Sequence, residues 1–229
     1  MFSRRYFLPD FFKDFSGRIA TEHSETDTIC AVLRFPGHGI FYVKEDCMKN
    51  NIRIEDLLDL DKTIAAGIFE GKEFPWEVLS DIREFIRKIG PTLDPALYEK
   101  RDEDIWISRS AKVFPSAYIA GPCIIDHEAE IRHCAFIRGS AVVGKNAVVG
   151  NSTELKNVIL FDNVQVPHYN YVGDSILGYK AHMGAGAITS NVKADRKPTV
   201  LSLGENEAIE TGLKKFGAIL GDYAEIGCN

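Results

Sequence analysis

The sequence predicts a mainly β protein, a parallel β-helix of hexapeptide repeats preceded by a small α/β cap domain. Branched aliphatic residues recur at every sixth position, and small residues stand two positions before most of them. Neither the period of an α-helix nor the alternation of one long strand explains this spacing. A short strand and a corner, repeated on three faces, explain it with about eighteen residues in each coil. The part of the chain that carries this repeat lacks long helical stretches, which disfavours a doubly wound α/β sheet.

The six-residue series defines the predicted core. Its aliphatic members are Ile107, Val113, Ile119, Ile125, Ile131, Ile137, Val143, Val149 and Leu155. The small residues before them are Ala111, Ala117, Cys123, Ala129, Ala135, Ala141, Ala147 and Thr153. Both sets should point inward, where each aliphatic side chain stacks on its counterpart about 4.8 Å away. With some five-residue steps, the pattern continues to about Asn191. Glycines such as Gly139 and Gly150 are predicted to form corners, because glycine accepts backbone angles that other residues resist.

The chain divides by pattern into two predicted domains. Residues 1–100 lack the repeat and are interpreted as the α/β cap, and residues 101–229 as the β-helix. Within the cap, residues 28–43 predict two strands around a Pro-Gly turn, while residues 54–69 and 75–90 predict two helices.

The last part of the chain interrupts the repeat and then resumes it. Residues 192–215 are polar and irregular, which indicates a loop or hairpin ejected from the β-helix. The repeat returns with Ala218 and Leu220, and the sequence stops at Asn229 part-way through a coil. A solenoid end exposes strand edges that proteins normally cover. We therefore expect either a partner subunit at this end or a shortened version of a longer protein.

Composition excludes several classes of protein. Hydrophobic residues make up 45% of the chain and charged residues 26%, which disfavours disorder and collagen. The net charge of -6 argues against a nucleic-acid partner. No apolar run approaches the roughly 20 residues of a membrane span, and the N-terminus does not resemble a signal peptide, so we expect a cytoplasmic protein. The five cysteines form no CxxC pair and are predicted to be buried free thiols: Cys30, Cys47, Cys123, Cys134 and Cys228.

Two cations on one face form the first candidate site. Arg138 and Lys156 are eighteen residues apart and should stack on consecutive coils. Aligned cations repel unless an anion or a carboxylate joins them, so a phosphate is a plausible ligand. The alternative is a solvated surface pair. The histidine spacings, such as that between His127 and His133, do not fit a metal site within one subunit, and we predict no metal.

A histidine and a glycine-rich corner form the second candidate site. His168 could take a proton from an amine or hydroxyl nucleophile, and Glu154 could hold its ring. The backbone N–H groups around Ala185 could stabilise an oxyanion. The alternatives are a structural histidine and an ordinary corner.

The run GNSTELKNVILFDNVQVPHYNYVGDSILGYKAHMGAGAITSN resembles the left-handed β-helix domain of the bifunctional glucosamine-1-phosphate acetyltransferase and N-acetylglucosamine-1-phosphate uridyltransferase family. The PHYNYVGDS stretch and the later TGLKKFGAILGD are still more similar to archaeal-type sugar-1-phosphate nucleotidyltransferases. The resemblance covers about residues 104–229 and implies the left hand of the coil. It also implies an acyltransferase that moves an acetyl group from acetyl-CoA, as co-substrate, to the amine of an amino-sugar 1-phosphate such as glucosamine-1-phosphate.

The resemblance implies a role for each matching residue. His168 would be the general base. The groups that hold the sugar and its 1-phosphate would be Arg138, Lys156, Tyr171, Asn191 and Lys197. Ala185 would donate its N–H to the thioester oxygen, and Cys228 stands where the family has a serine close to coenzyme A. The family forms homotrimers with sites between neighbouring subunits.

The sequence departs from the family in three ways. His182 replaces an asparagine that orients the amine, which puts the identity of the acceptor in doubt. The coils that complete the coenzyme A site are absent after Cys228. The cap lacks the glycine-rich nucleotide loop, so we expect no uridyltransferase or pyrophosphorylase activity. The alternative function is a non-catalytic sugar-nucleotide-binding or trimeric assembly module without a complete coenzyme A site.

Overall fold

The structure is a computed structural model that describes residues 31–32, 52–202 and 208–228. The interpretation of residues 28–43 as two strands lies outside the described residues except for strand β1 (Ala31–Val32). From residue 105 onward most strands are short and pair in parallel, which confirms the predicted mainly β architecture.

The strands lie on three faces of a prism. The first face contains β3 (Ile105–Ser108), β6 (Cys123–Ile125), β9 (Ala141–Val143), the ends of β11 (Glu154–Leu160) and β13 (Tyr171–Leu177), and β17 (Ile219–Leu220). The second face contains β4 (Lys112–Val113), β7 (Glu130–Ile131), β10 (Val148–Asn151), β12 (Gln165–His168), β14 (His182–Met183) and β18 (Glu225–Ile226). The third face contains β5 (Tyr118–Ile119), β8 (Phe136–Ile137) and the beginnings of β11 and β13.

The repeat lines the core as predicted. From Ile125 to Leu155 every aliphatic member of the series is fully buried, and the registers stack every third member, one coil apart. Val149, for example, pairs with Ile131 on one side and with Val166 on the other. Burial of each such side chain stabilises the fold by about 1.5–3 kcal/mol. The hydrophobic effect along this column therefore holds the coils together.

The corners are formed largely by residues other than glycine. Positive φ angles recur along the helix at Cys134, Ser140, Asn146, Ser152, Asn157, Asn163, Tyr169, Asp174 and Lys180. Gly139, with φ of 95°, fits the prediction. For Gly150 the predicted reason is wrong, because its φ is not positive. A Cβ atom there would clash with the carbonyl oxygen of Pro167, so the close approach of the next coil requires glycine.

A layer of short helices packs on the first face. The helices are α1 (Ile54–Leu57) and α2 (Ile82–Ile89), with 3-10 turns at Leu60–Lys62, Ala66–Phe69, Pro75–Val78 and Gly90–Thr92. The two longer predicted helices are wrong in extent, because Leu58 turns to an extended conformation and Asp59 caps a new turn. Aromatic contacts join the layer to the β-helix, with ring centroids 6.0 Å apart for Phe69 and Phe161 and 6.2 Å for Trp76 and Phe216.

Other additions lie at the edges of the prism. β2 (Tyr98–Asp102) pairs antiparallel with β3, and β1 pairs antiparallel with β17. The segment predicted as an ejected hairpin contains the antiparallel strands β15 (Val200–Ser202) and β16 (Ala208–Glu210). No helix among the described residues has the length and apolar character needed to cross a bilayer.

The cysteines only partly match their prediction. Cys123 is fully buried, and burial raises the pKa of its thiol to about 12. Cys134 and Cys228 are exposed, so the prediction is wrong for them. Both lie at outward corner positions, where the repeat does not bury a side chain. Cys30 and Cys47 lie outside the described residues.

Candidate active site

The third face carries the predicted cation column. Ile137 pairs with Leu155, so Arg138 and Lys156, the next residues, lie on adjacent coils. Each cation has a carboxylate partner. The Arg138 guanidinium lies 2.6 Å from Glu154 Oε1, and Lys156 Nζ lies 3.3 Å from Asp174 Oδ2. The positive charges of Arg138 and Lys156 are therefore balanced by carboxylates of the same subunit. This is one of the two arrangements expected from the sequence, the other being a bound anion.

Asp174 organises the polar side chains of this face. Its side chain is 6% exposed, and its carboxylate accepts hydrogen bonds from Lys156 Nζ, Asn157 Nδ2 and Asn191 Nδ2. Asn157 Nδ2 also donates to the Leu79 carbonyl oxygen at 2.9 Å, which ties the group to the helical layer. Sequence reasoning did not single out Asp174. The sequence feature that could have identified Asp174 is an acidic residue in the run YVGDS, three positions after Tyr171, which was predicted to bind phosphate.

Tyr171 lies in the same group. Its hydroxyl accepts a hydrogen bond of 3.2 Å from Asn191 Nδ2. Burial raises the pKa of the Tyr171 phenol above its usual 10.0, so the hydroxyl keeps its proton at neutral pH and can donate to a phosphate oxygen. Lys197 lies apart. It is exposed and donates its backbone N–H to Asp195 Oδ1, and none of its described contacts reaches Tyr171 or Asn191.

A second group lies at the corner between the second and third faces. Asn151 pairs with His168, and the Gly186 N–H donates to the His168 carbonyl oxygen. Met183 pairs with Ile226, which places Ala185 opposite Cys228 two residues later. His168, Ala185 and Cys228 therefore occupy one column on three successive coils, about 4.8 Å apart. The Ala185 N–H has no acceptor in the described part of the chain, so it can donate to a ligand.

His168 is not held by the predicted carboxylate. Glu154 pairs with Arg138, and among residues 52–202 and 208–228 no hydrogen bond joins the His168 ring to any side chain. The corner is instead fixed by Asn170, which is 2% exposed and was missed by sequence reasoning. Its Oδ1 accepts the His168 N–H at 3.1 Å, and its Nδ2 donates to the carbonyl oxygens of Gly184 and Ala187, on either side of the Ala185 corner.

His182 lies elsewhere, on the second face. Its Nδ1 is 2.9 Å from Glu225 Oε2, and both residues line an open groove of about 600 Å³. Within one subunit it does not contact the group around Tyr171 and Asn191. Among the described residues, no set of three or more histidine, cysteine, aspartate or glutamate side chains could hold a metal ion.

Comparisons with known proteins agree with the repeat. Residues 119–227 match the family model described as the GMPPB C-terminal domain. Over 202 residues the chain is 34% identical to the bifunctional protein GlmU of Methanococcus maripaludis strain S2, an alignment that covers 83% of this chain and 49% of that protein. It is 31% identical over 78 residues to the bifunctional sugar-1-phosphate nucleotidylyltransferase/acetyltransferase of Sulfurisphaera tokodaii, covering 34% and 19% of the two chains.

A solved structure also matches in part. The acetyltransferase domain of PglB from Neisseria gonorrhoeae, in complex with acetyl coenzyme A, has a TM-score of 0.27 and 20% identity over 38% of this chain and 40% of that one. This chain covers about half the length of the M. maripaludis S2 protein, one of the curated relatives that it matches. The six-residue repeat and the parallel strand registers identify residues 119–227 as a parallel β-helix of the hexapeptide-repeat type, and its sequence is similar to parts of these GlmU and nucleotidylyltransferase/acetyltransferase proteins.

Proposed function

We propose that the chain transfers an acetyl group from acetyl-CoA to the amine of an amino-sugar 1-phosphate. The observation that carries this proposal is the column of His168, Ala185 and Cys228, which brings an imidazole within one coil of a free backbone N–H. An imidazole near neutral pH and a fixed N–H donor are the two groups that acyl transfer requires. The relative named as a bifunctional sugar-1-phosphate nucleotidylyltransferase/acetyltransferase supports the same reaction.

The reaction follows from these positions. The amine attacks the thioester carbon, and His168 takes the proton that the amine loses. The carbonyl oxygen becomes an oxyanion and accepts the Ala185 N–H. The carbon–sulfur bond then breaks, and the thiolate of coenzyme A receives the proton from His168. Loss of such a general base reduces rates by about 10²- to 10⁴-fold.

The third face would bind the sugar phosphate. Arg138 and Lys156 would exchange part of their contact with Glu154 and Asp174 for phosphate oxygens, and Tyr171 would donate its hydroxyl. Bidentate contact between a guanidinium and phosphate favours such an exchange. A cytoplasmic homotrimer, with each site between two subunits, is part of the proposal and can be tested by analytical ultracentrifugation. We continue to predict no pyrophosphorylase activity.

The test measures free thiol released from acetyl-CoA with glucosamine-1-phosphate or galactosamine-1-phosphate. We expect thiol release by the wild-type chain and a loss of about 10²- to 10⁴-fold in His168→Asn. His133→Asn is the matched control, because His133 is also an exposed imidazole on a corner and has no proposed role. Equal activity of the wild type and His168→Asn would remove His168 as the base.

One observation favours a second candidate, the non-catalytic sugar-nucleotide-binding or assembly module. Arg138 and Lys156 are already paired with carboxylates, so an anionic ligand must compete for them. Calorimetry separates the two candidates. An acetyltransferase binds acetyl-CoA, whereas the module binds only the phosphorylated sugar or neither compound.

A further inference from the structure

A stripe of outward side chains runs the length of the third face. The strand registers pair Tyr118 with Phe136, Phe136 with Glu154, Glu154 with Tyr171, and Tyr171 with Ile188. Successive members lie on adjacent coils about 4.8 Å apart, so the stripe is about 19 Å long. Its first two members are aromatic, and their exposed fractions are 64% and 39%. The stripe therefore begins with two neighbouring rings that face solvent.

The two rings form a pair that suits a planar group. The centroids of Tyr118 and Phe136 are 5.6 Å apart, and the ring planes meet at 66°. Exposed aromatic side chains of this kind are the surfaces on which single nucleobases stack, and the stacking tolerates any base because every base has a π-face. The next member of the stripe is the carboxylate of Glu154, which ends the apolar area after one coil step. The area has the size of one base and is too short for a long apolar chain.

The ring pair is in contact with the proposed phosphate-binding cations. The guanidinium carbon of Arg138 lies 5.9 Å from the centre of the Phe136 ring. Lys156 follows on the next coil. A sugar 1-phosphate held by these two cations would leave both rings in water. A ligand that fills this end of the face as well carries a planar group beside its phosphate.

The sugar end of the site lies on the opposite side of the cations. The Tyr171 ring lies over Gly173, which pairs with Lys156, so the phenol follows the cations along the face. His168 precedes Tyr171 by three residues on the same coil. The order along the face is therefore the rings, the cations, the phenol and the imidazole corner. A nucleoside diphosphate that carries an amino sugar has its parts in this order: base, phosphates, sugar and amine.

We propose that the acetyl acceptor is an amino sugar linked to a nucleoside diphosphate, whose base stacks on Phe136 and Tyr118. This inference rests on the proposed function for the acetyl transfer itself. The two phosphoryl groups meet Arg138 and Lys156, one on each coil, which a free sugar 1-phosphate with its single group does not do. The nucleotide passes through the reaction unchanged. A nitrogen–carbon bond forms, the carbon–sulfur bond of acetyl-CoA breaks, and the proton of the amine moves by way of His168 to the thiolate.

The first experiment compares two acceptors that share the same amino sugar. UDP-glucosamine and glucosamine-1-phosphate differ in the uridylyl group, and thiol release from acetyl-CoA gives kcat/KM for each. We expect the wild type to favour UDP-glucosamine by about 5- to 150-fold, the range that one base–aromatic contact contributes. In Phe136→Ala the ratio of the two values should fall by a factor in the same range. Phe136→Tyr keeps a ring and should keep the ratio.

A matched control removes an exposed ring elsewhere. Tyr223 is 51% exposed and lines the groove beside His182. Its φ of 60° is tolerated by asparagine, so Tyr223→Asn removes the ring with little backbone strain. This variant should keep the substrate ratio of the wild type.

The second experiment measures nucleotide binding without catalysis. Calorimetry with UDP alone should show binding to the wild type and to Tyr223→Asn. Phe136→Ala should bind UDP about 5- to 150-fold more weakly. Because UDP carries no amine, this readout is independent of the acetyl transfer.

The outcomes separate this inference from the proposed function. Acetylation of glucosamine-1-phosphate without UDP binding overturns the inference and leaves the proposed function standing. A ratio that Phe136→Ala does not change also overturns the inference, and equal losses on both acceptors with altered sedimentation would identify the rings as a subunit contact. UDP binding that depends on Phe136, without acetylation of either acceptor, overturns the proposed function and leaves only the nucleotide site. Absence of both binding and acetylation overturns the two proposals together.

Discussion

Replacing Asp174 with asparagine should lower the free energy of unfolding by about 2–3 kcal/mol. The substitution keeps the size of the side chain but removes the negative charge that faces Lys156, Asn157 and Asn191. It also turns an NH₂ group toward groups that can only donate. Asparagine tolerates the positive φ of 49° at this position, so the backbone adds little strain.

The magnitude follows from the exposure of the two ionic partners. Removing one member of a buried ion pair costs about 3–5 kcal/mol. The side chains of Asp174 and Lys156 are 6% and 27% exposed, so the orphaned ammonium can still reach water, which reduces the expected cost to the lower end of this range or below. Asp174→Ala should cost about 1 kcal/mol more, because alanine disfavours the left-handed conformation.

A double-mutant cycle with Lys156→Met measures the ion pair itself. We expect a coupling free energy of at least about 1 kcal/mol, because the two residues are in contact. Urea denaturation of the wild type and the three variants gives the free energies, and an unchanged m-value shows that compactness is unaltered. Additive costs of the two single substitutions would refute the assignment of Asp174 as the partner of Lys156.

Two further predictions concern stability. Gly150→Ala should destabilise the β-helix by about 3 kcal/mol, because the new Cβ would meet the Pro167 carbonyl oxygen. Gly227→Ala, where nothing lies within 4 Å, should change stability by no more than about 0.5 kcal/mol, and equal melting temperatures for the two variants would contradict the packing argument. Burial raises the pKa of Asp222 above its usual 3.8, so the folded chain keeps this proton at a higher pH than the unfolded chain does. The contribution of Asp222 to stability therefore falls as pH rises through the range just above 3.8, and Asp222→Asn should flatten that dependence in denaturation curves measured from pH 3.5 to 7.

Much of the candidate site could be predicted from spacing. The eighteen-residue interval placed Arg138 beside Lys156, and the resemblance brought His168 and Ala185 into one site. Spacing alone did not determine which carboxylate pairs with which cation or histidine. Glu154 was predicted to hold His168 and instead pairs with Arg138, because a guanidinium two strand positions away on the neighbouring coil competes for the same carboxylate.

The helical layer shows the limit of pattern reading in another way. Residues 54–69 and 75–90 were correctly predicted to be helical, but each segment is divided into short helices and 3-10 turns. These short elements follow the surface of the prism and bury residues such as Ile82 and Val78 against it. Tertiary packing overrides helix propensity here, since propensity contributes only tenths of a kcal/mol for each residue.

The amino-acid order by itself determined the prism, its inward residues and the stacking of successive coils, because a six-residue period is a local property of the chain. Only the tertiary structure decided the pairing of His182 with Glu225, 43 residues apart. The hairpin inserted between them breaks the period, so their register depends on where the chain re-enters the prism. Side-chain partners around Asp174 and Asn170 were likewise decided by contacts across coils, where geometry and competing charges select one arrangement.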